Sequence, residues 1–174
     1  MDSVHPTQAT KITYGWIKTG TEKAIHTTAS RTRINIVGAI ELGRLSAAIS
    51  AQYEAVNGEA IIDFMRRIRS EYSPAKTVHL ILDGAGYHKA KIVSEQAEQL
   101  QIKLHFLPPY SPNLNPIERL WKVMNEQVRN NRFFKNPAEF RQSIEHFFKH
   151  ILPNIGRELD SRINDNFQRL NEAP

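Results

Sequence analysis

From Ile34 to Ile40 every position except Asn35 and Gly38 is an apolar side chain, and the chain then passes through a polar stretch, Glu41 to Arg44, that contains Gly43. Beyond it Leu45, Ala47, Ile49, Ala51 and Tyr53 alternate with Ser46, Ala48, Ser50 and Gln52. A period of two belongs to a strand with one more apolar face, so two strands joined by a hairpin turn are expected over 34–40 and 45–53. The period then changes. Ile61, Met65, Ile68 and Tyr72 recur at helical spacing, and Ser73-Pro74 ends that helix. Val78 to Leu82 is a nearly continuous apolar run, the pattern of a central strand covered on both faces. Ala90 to Leu100 reads as a helix and Ile102 to Leu107 as a further strand, an alternation that implies parallel strands with a helical crossover. Four prolines, Pro108, Pro109, Pro112 and Pro116, stiffen the next loop. Ile117, Leu120, Trp121, Met124 and Val128 then form one apolar helical stripe that should pack on the sheet. Helices near Ala138 to His150 and Ile155 to Leu170 complete an α/β domain with hairpin strands first and helices last. Trp16 and Trp121 are expected as core anchors rather than base-stacking platforms.

At 174 residues the chain is most simply one domain, residues 1–174, with a sizeable core. A net charge of +5 and a pI near 9.6 favour a polyanionic partner, and nucleic acid is the obvious one. The absence of cysteine excludes a disulfide scaffold and thiolate metal sites. No apolar run approaches membrane-spanning length, and the first residues lack the basic-then-apolar pattern of a secretory signal, so an intracellular protein is expected.

The candidate chemistry lies between Leu80 and Lys122. Asp83 follows an apolar strand and Glu118 opens a helix, with 34 residues between them. In open α/β sheets ligands collect beyond the carboxyl ends of strands, where Asp83 sits. Carboxylates delivered in this way suit Mg²⁺ or Mn²⁺, and a pair of such ions roughly 3.5–4 Å apart supports in-line displacement at phosphorus. The phosphate-binding GxxxxGK[ST] loop is missing, so no nucleotide cofactor is called for. A purely structural reading of Glu118 stands beside this one. Asn115-Pro116-Ile117-Glu118 is a good helix start, and Asn136-Pro137-Ala138-Glu139 repeats it where no chemistry is assigned. Asp83 before Gly84 could equally be a turn residue. His88 could bond a phosphate or help orient the site, and His146 and His150 read as a solvated helix face. Among the basic residues Lys89, Arg119 and Lys122 lie nearest the proposed ligands and, with His88, are the expected DNA contacts.

The segments LILDGAGYHKA and LHFLPPYSPNLNPIERLWK, with DSVHPTQATKITYGWIKTG and RTRINIVGAI upstream, resemble the catalytic domain of DDE transposases, in the bacterial insertion-sequence branch of the mariner-like superfamily. The resemblance implies a ribonuclease H-like fold: a mixed central sheet with N-terminal antiparallel hairpin strands, later parallel strands and flanking helices. It makes Asp2, Asp83 and Glu118 the catalytic metal ligands for Mg²⁺ or Mn²⁺, with two ions. It implies cleavage at transposon ends and joining to target DNA, a homodimer in the active complex, and a cytoplasmic, nucleoid-associated bacterial protein. The family places several strand residues, and before them helix-turn-helix modules, ahead of the first aspartate. Here only Met1 precedes Asp2, so those modules are expected to be absent and the first strand truncated. Two other readings stay open: a stand-alone nuclease of the same fold, and a truncated remnant that binds DNA without catalysis.

Overall fold

The computed structural model describes residues 1–167, and the fold is arranged around β2 (Asn35–Ala39), whose five residues are all buried. β1 (Asp2–Val4) pairs with it antiparallel, with Asp2 opposite Gly38, and β3 (Ile49–Tyr53) pairs antiparallel on its other edge. The turn between β2 and β3 uses Gly43 at φ +78°, a left-handed conformation that glycine adopts without strain. The expected strand from Leu45 begins only at Ile49. Leu45 to Ala47 instead form a 3-10 turn that drops Leu45 into the core.

Helices cover both faces of this sheet because β2 presents apolar side chains to each. Ile34 and Ile36 join a core with Leu120, Trp121, Met124, Phe140 and Ile144, from α3 (Ile117–Met124) and α4 (Pro137–His146). Val37 and Ala39 face a second core with Ile61, Phe64, Leu80, Leu82 and Val93. These come from α1 (Gly58–Ser70), β4 (Val78–Leu82) and α2 (Lys91–Gln99). β5 (Ile102–Phe106) lies parallel to β4 in register from Val78↔Ile102 to Leu82↔Phe106, with α2 as the crossover. Both α3 and α4 continue into a wider turn, Asn125–Arg129 and Phe147–Ile151. α5 (Leu152–Ile155) is a single short turn.

Three further expectations change. β2, not β4, is the strand covered on both faces: β4 alternates, and Ile81 is 51% exposed because helices cover only one side of the β4–β5 pair. Among the described residues the antiparallel and parallel ladders are joined by one hydrogen bond, from the Met1 amino group to the Ile81 carbonyl at 2.7 Å. Burial holds that amino group down at about 6. The opening between the ladders, about 800 Å³, is lined by Ala39, Ile40, Ile68, Leu80 and Ile81 among others. The expected helix over Ile155–Leu170 is not formed in its described part. The chain makes a 3-10 turn, Glu158–Ser161, and the Asn164 side chain then bonds the Asp160 and Ser161 carbonyls and accepts from the Asn166 N–H. Local bonds of this kind compete with a helix. Residues 168–170 of that expectation lie outside the described residues. Finally, Trp121 is buried as expected, whereas Trp16 is fully exposed. Among the described residues no helix is long and apolar enough to cross a membrane.

The sheet and α3 approach closely at Gly38. A Cβ there would lie 2.5 Å from the outer edge of the Trp121 ring, so the indole rests on bare backbone. Gly38→Ala should therefore displace the ring and destabilise the protein by about 1–3 kcal/mol, a fall in Tm of roughly 3–10 °C for a chain of this size, readable by thermal unfolding. A change inside experimental error would show that the ring is not seated on Gly38.

Candidate active site

Asp2 is buried in β1, and its Oδ2 accepts the Trp121 indole N–H at 2.9 Å. Burial raises its pKa above the usual carboxylate range; the negative charge of Asp83 adds to this, and the Trp121 bond opposes it. The neighbouring Ser3 hydroxyl meets the Tyr87 hydroxyl at 2.7 Å, which ties β1 to the loop after β4.

Asp83 stands at the end of β4, half exposed. Its Oδ1 accepts from the Ala85 N–H at 3.2 Å, which is the turn bond expected of an Asp in this place. The same oxygen lies 2.7 Å from His88 Nδ1. A carboxylate oxygen can only accept, so Nδ1 carries the proton. His88 is completely buried, packed edge-on against Tyr87, and its Nε2 has no partner. Burial lowers its pKa against the opposing pull of Asp83, which keeps the ring neutral. The expectation that His88 contacts DNA is thereby corrected: the ring is out of reach of a phosphate and instead orients Asp83. Asp83 Oδ2 makes no hydrogen bond among the described residues.

The two Asn-Pro-x-Glu segments have the same sequence pattern and different uses. At α4 the Asn136 Oδ1 accepts from the Glu139 N–H, and the Glu139 carboxylate accepts from the Lys135 N–H, both at 2.9 Å. The asparagine caps the helix, and the glutamate reaches back past it to the residue before the cap. At α3 no side chain caps the helix: the Glu118 N–H goes to the Asn115 backbone carbonyl, and the Glu118 carboxylate makes no hydrogen bond among the described residues. The expected Asn115 side-chain cap is absent. Glu118 is half-buried, and burial raises its pKa, followed by the charge of Asp2; Lys122 opposes and Asp83 adds.

Asp2, Asp83 and Glu118 therefore come from β1, β4 and α3 into one electrostatic neighbourhood. Among the described residues no three His, Cys, Asp or Glu side chains stand close enough to form a ready-made metal cage. The donor set nonetheless fits a hard divalent cation: all oxygen, two of the three carboxylates steadied by a neutral donor, and the third unengaged. Of the expected phosphate contacts, Lys89 and Lys122 are exposed, and the Lys89 ammonium lies over the Phe106 ring at 5.9 Å. Arg119 is already engaged: it donates to the Asn164 carbonyl at 2.6 Å and lies over the Phe167 ring at 5.9 Å. Nothing local in the chain signals the indole bond to Asp2, which depends on two residues 119 positions apart.

The family model for the DDE superfamily endonuclease matches residues 1–141. The chain is 25% identical over 149 residues to the insertion element IS630 uncharacterized 39 kDa protein of Shigella sonnei, covering 82% of this chain and 42% of that protein. It is 37% identical over 81 residues to the uncharacterized protein y4pE/y4sA of Sinorhizobium fredii, covering 45% of this chain and 56% of that protein. Among solved structures it is similar to the Mos1 strand transfer complex, with a TM-score of 0.62, 16% identity, and coverage of 92% of this chain and 50% of that one. It is also similar to the catalytic domain of Mos1 mariner transposase, with a TM-score of 0.57, 17% identity, and coverage of 78% and 76%. This likeness shows a shared ribonuclease H-like fold. The chain spans about half the length of the relatives it matches. With more than half of its residues under the family model, the chain belongs to the DDE superfamily of endonucleases.

Proposed function

We propose that this chain is the catalytic core of an insertion-sequence transposase that cuts DNA at the ends of its element and joins the 3′-ends to a target by metal-dependent phosphoryl transfer. The observation that carries the reading is Glu118, a helix-start glutamate released from capping and brought into the field of Asp2 and Asp83. Asp2, Asp83 and Glu118 would hold Mg²⁺ or Mn²⁺, and two ions is the stoichiometry this reading expects. Once bound, the ions supply Lewis-acid activation of an attacking water or 3′-hydroxyl and stabilisation of the leaving oxygen. The chain's own residues do the positioning. Trp121 and His88 each hold one oxygen of an aspartate, and Lys89 and Lys122 attract the DNA backbone. Similar Mos1 structures are paired-end complexes with Mn, with Mg and with the left transposon end, which supports divalent ions and transposon ends as the ligands of this chain, and a homodimer is the assembly this reading expects.

Calorimetric titration of Mn²⁺ in the presence of DNA should give measurable binding to the wild type and at least about tenfold weaker binding to Asp83→Asn and Glu118→Gln. Because Asp2 and Glu118 hold protons above the usual carboxylate range, affinity should fall as the pH is lowered into the weakly acid region. Equal binding by all three proteins would remove the site. For the two donors, His88→Phe and Trp121→Phe keep most of the packing and delete the bond. Each should lower Mn²⁺-dependent nicking by roughly 10- to 100-fold, and His88→Asn, which can place an N–H near the Nδ1 position, should recover part of the loss.

Asp2 is the ligand assigned to β1, and a ligand must be held near its working geometry. Asp2→Ala should therefore abolish Mn²⁺-dependent nicking. Undiminished activity in that variant would remove Asp2 from the site.

A further inference from the structure

Residues 11–29 form an arm whose root is fixed and whose outer part is bare. At the root, the Gln8 N–H reaches the Thr32 carbonyl at 2.9 Å and the Thr10 N–H reaches the Thr28 carbonyl at 3.3 Å, so the arm leaves and returns through one stem. Asn131 clamps the outgoing side: its N–H donates to the Lys11 carbonyl, its Oδ1 accepts from the Thr13 N–H, and its Nδ2 donates to the Thr13 carbonyl. Just beyond this clamp Tyr14 and Trp16 are 107% and 103% exposed, and Ile12 and Ile17 are more than half exposed.

Large aromatic side chains left wholly in water on a fixed root mark a surface that something covers. Charge indicates what. From Lys11 to Arg33 the segment carries five cations, Lys11, Lys18, Lys23, Arg31 and Arg33, against Glu22 alone, a net of 5 − 1 = +4. None of the five is in an ion pair among the described residues. Aromatic rings between lysines are the composition of a surface that stacks bases while neutralising phosphates. We propose that this arm binds unpaired DNA bases, with Tyr14 and Trp16 as the stacking rings and Lys11, Lys18 and Lys23 along the backbone. The inference rests on DNA being the substrate of the site described above. It also sets a distance. Asn131 follows the helical run from Ile117 to Arg129, about 20 Å long at ~1.5 Å per residue, so the arm's root stands roughly six nucleotides from Glu118 at ~3.4 Å each. The bases bound would flank the reacting phosphodiester rather than carry it.

The test uses the whole chain, fluorescent duplex DNA, and the same duplex with a single-stranded thymidine extension. The wild type should prefer the extended DNA, and the double variant Tyr14→Ala/Trp16→Ala should lose roughly 10- to 100-fold on it while keeping its affinity for the blunt duplex. Tyr14→Phe/Trp16→Phe should retain the preference, and Lys18→Gln/Lys23→Gln should flatten its salt dependence. Unchanged binding of the extended DNA by the alanine variant overturns the proposal, as does an equal loss on both DNAs. Unchanged DNA binding together with loss of a dimer in sedimentation overturns it in favour of a second copy of this chain as the occupant. If the wild type binds neither DNA, the reading of DNA as substrate falls together with this one; binding without an effect of the aromatic residues defeats this one alone.

Discussion

The Trp121 indole, seated on Gly38 and bonded to Asp2, is the contact on which the rest of the site depends. It works only because β1 and β2 pair with Asp2 opposite Gly38, which places a carboxylate and a residue without a side chain at one level of the sheet. The ring fills the space a Cβ would take and reaches the carboxylate at 2.9 Å. Trp121 is one helical turn from Glu118 on α3, so the contact that docks the helix also sets the height of the third carboxylate above the sheet. Packing and chemistry are here one interaction: moving the ring moves Glu118 relative to Asp2.

Electrostatics explain why the neighbouring donors are neutral. Burial raises Asp2 and Glu118 above the usual carboxylate range, and the repulsion among three carboxylates sharing one field adds to it. A buried cation such as Arg beside them would relieve the repulsion and compete with a metal ion for the same oxygens. Trp121 and a neutral His88 orient the aspartates without cancelling their charge. The negative field is left available, which is the state a divalent ion would be drawn to, and a bound ion would in turn offset the repulsion between the carboxylates and a DNA phosphate.

Much of this was legible in the residues. The hairpin strands, the β4–α2–β5 crossover and the apolar stripe of α3 follow from periodicity, and Asp83 and Glu118 fall where strand ends and helix starts were read. What periodicity could not show was which strand is central. Val78 to Leu82 is apolar throughout, yet whether both faces are covered depends on helices far away in sequence, and only one side of β4 has them. Trp16 failed for a related reason. A tryptophan among Tyr14, Ile12 and Ile17 looks like core, and nothing local reveals that the arm carrying it leaves the domain. His88 was placed near the site by its spacing from Asp83, but its burial, which turns a phosphate contact into an orienting one, comes from packing against Tyr87.

The paired Asn-Pro-x-Glu segments show where local reasoning ends. The Asn136 side chain takes the Glu139 N–H and the Glu139 carboxylate takes the Lys135 N–H because the chain before α4 lies extended, with Asn136 at φ −152° and ψ 166°, the geometry a capping side chain needs. Before α3 the chain arrives from a 3-10 turn, Pro112–Leu114, and Pro116 is already helical, so the Asn115 carbonyl takes the bond that its side chain would have taken. The glutamate has no capping partner to answer and is left with two free oxygens facing the aspartates' field. The difference lies in the proline-stiffened approach to the helix, not in the four residues of the pattern. That approach is what converts a structural glutamate into one available for chemistry.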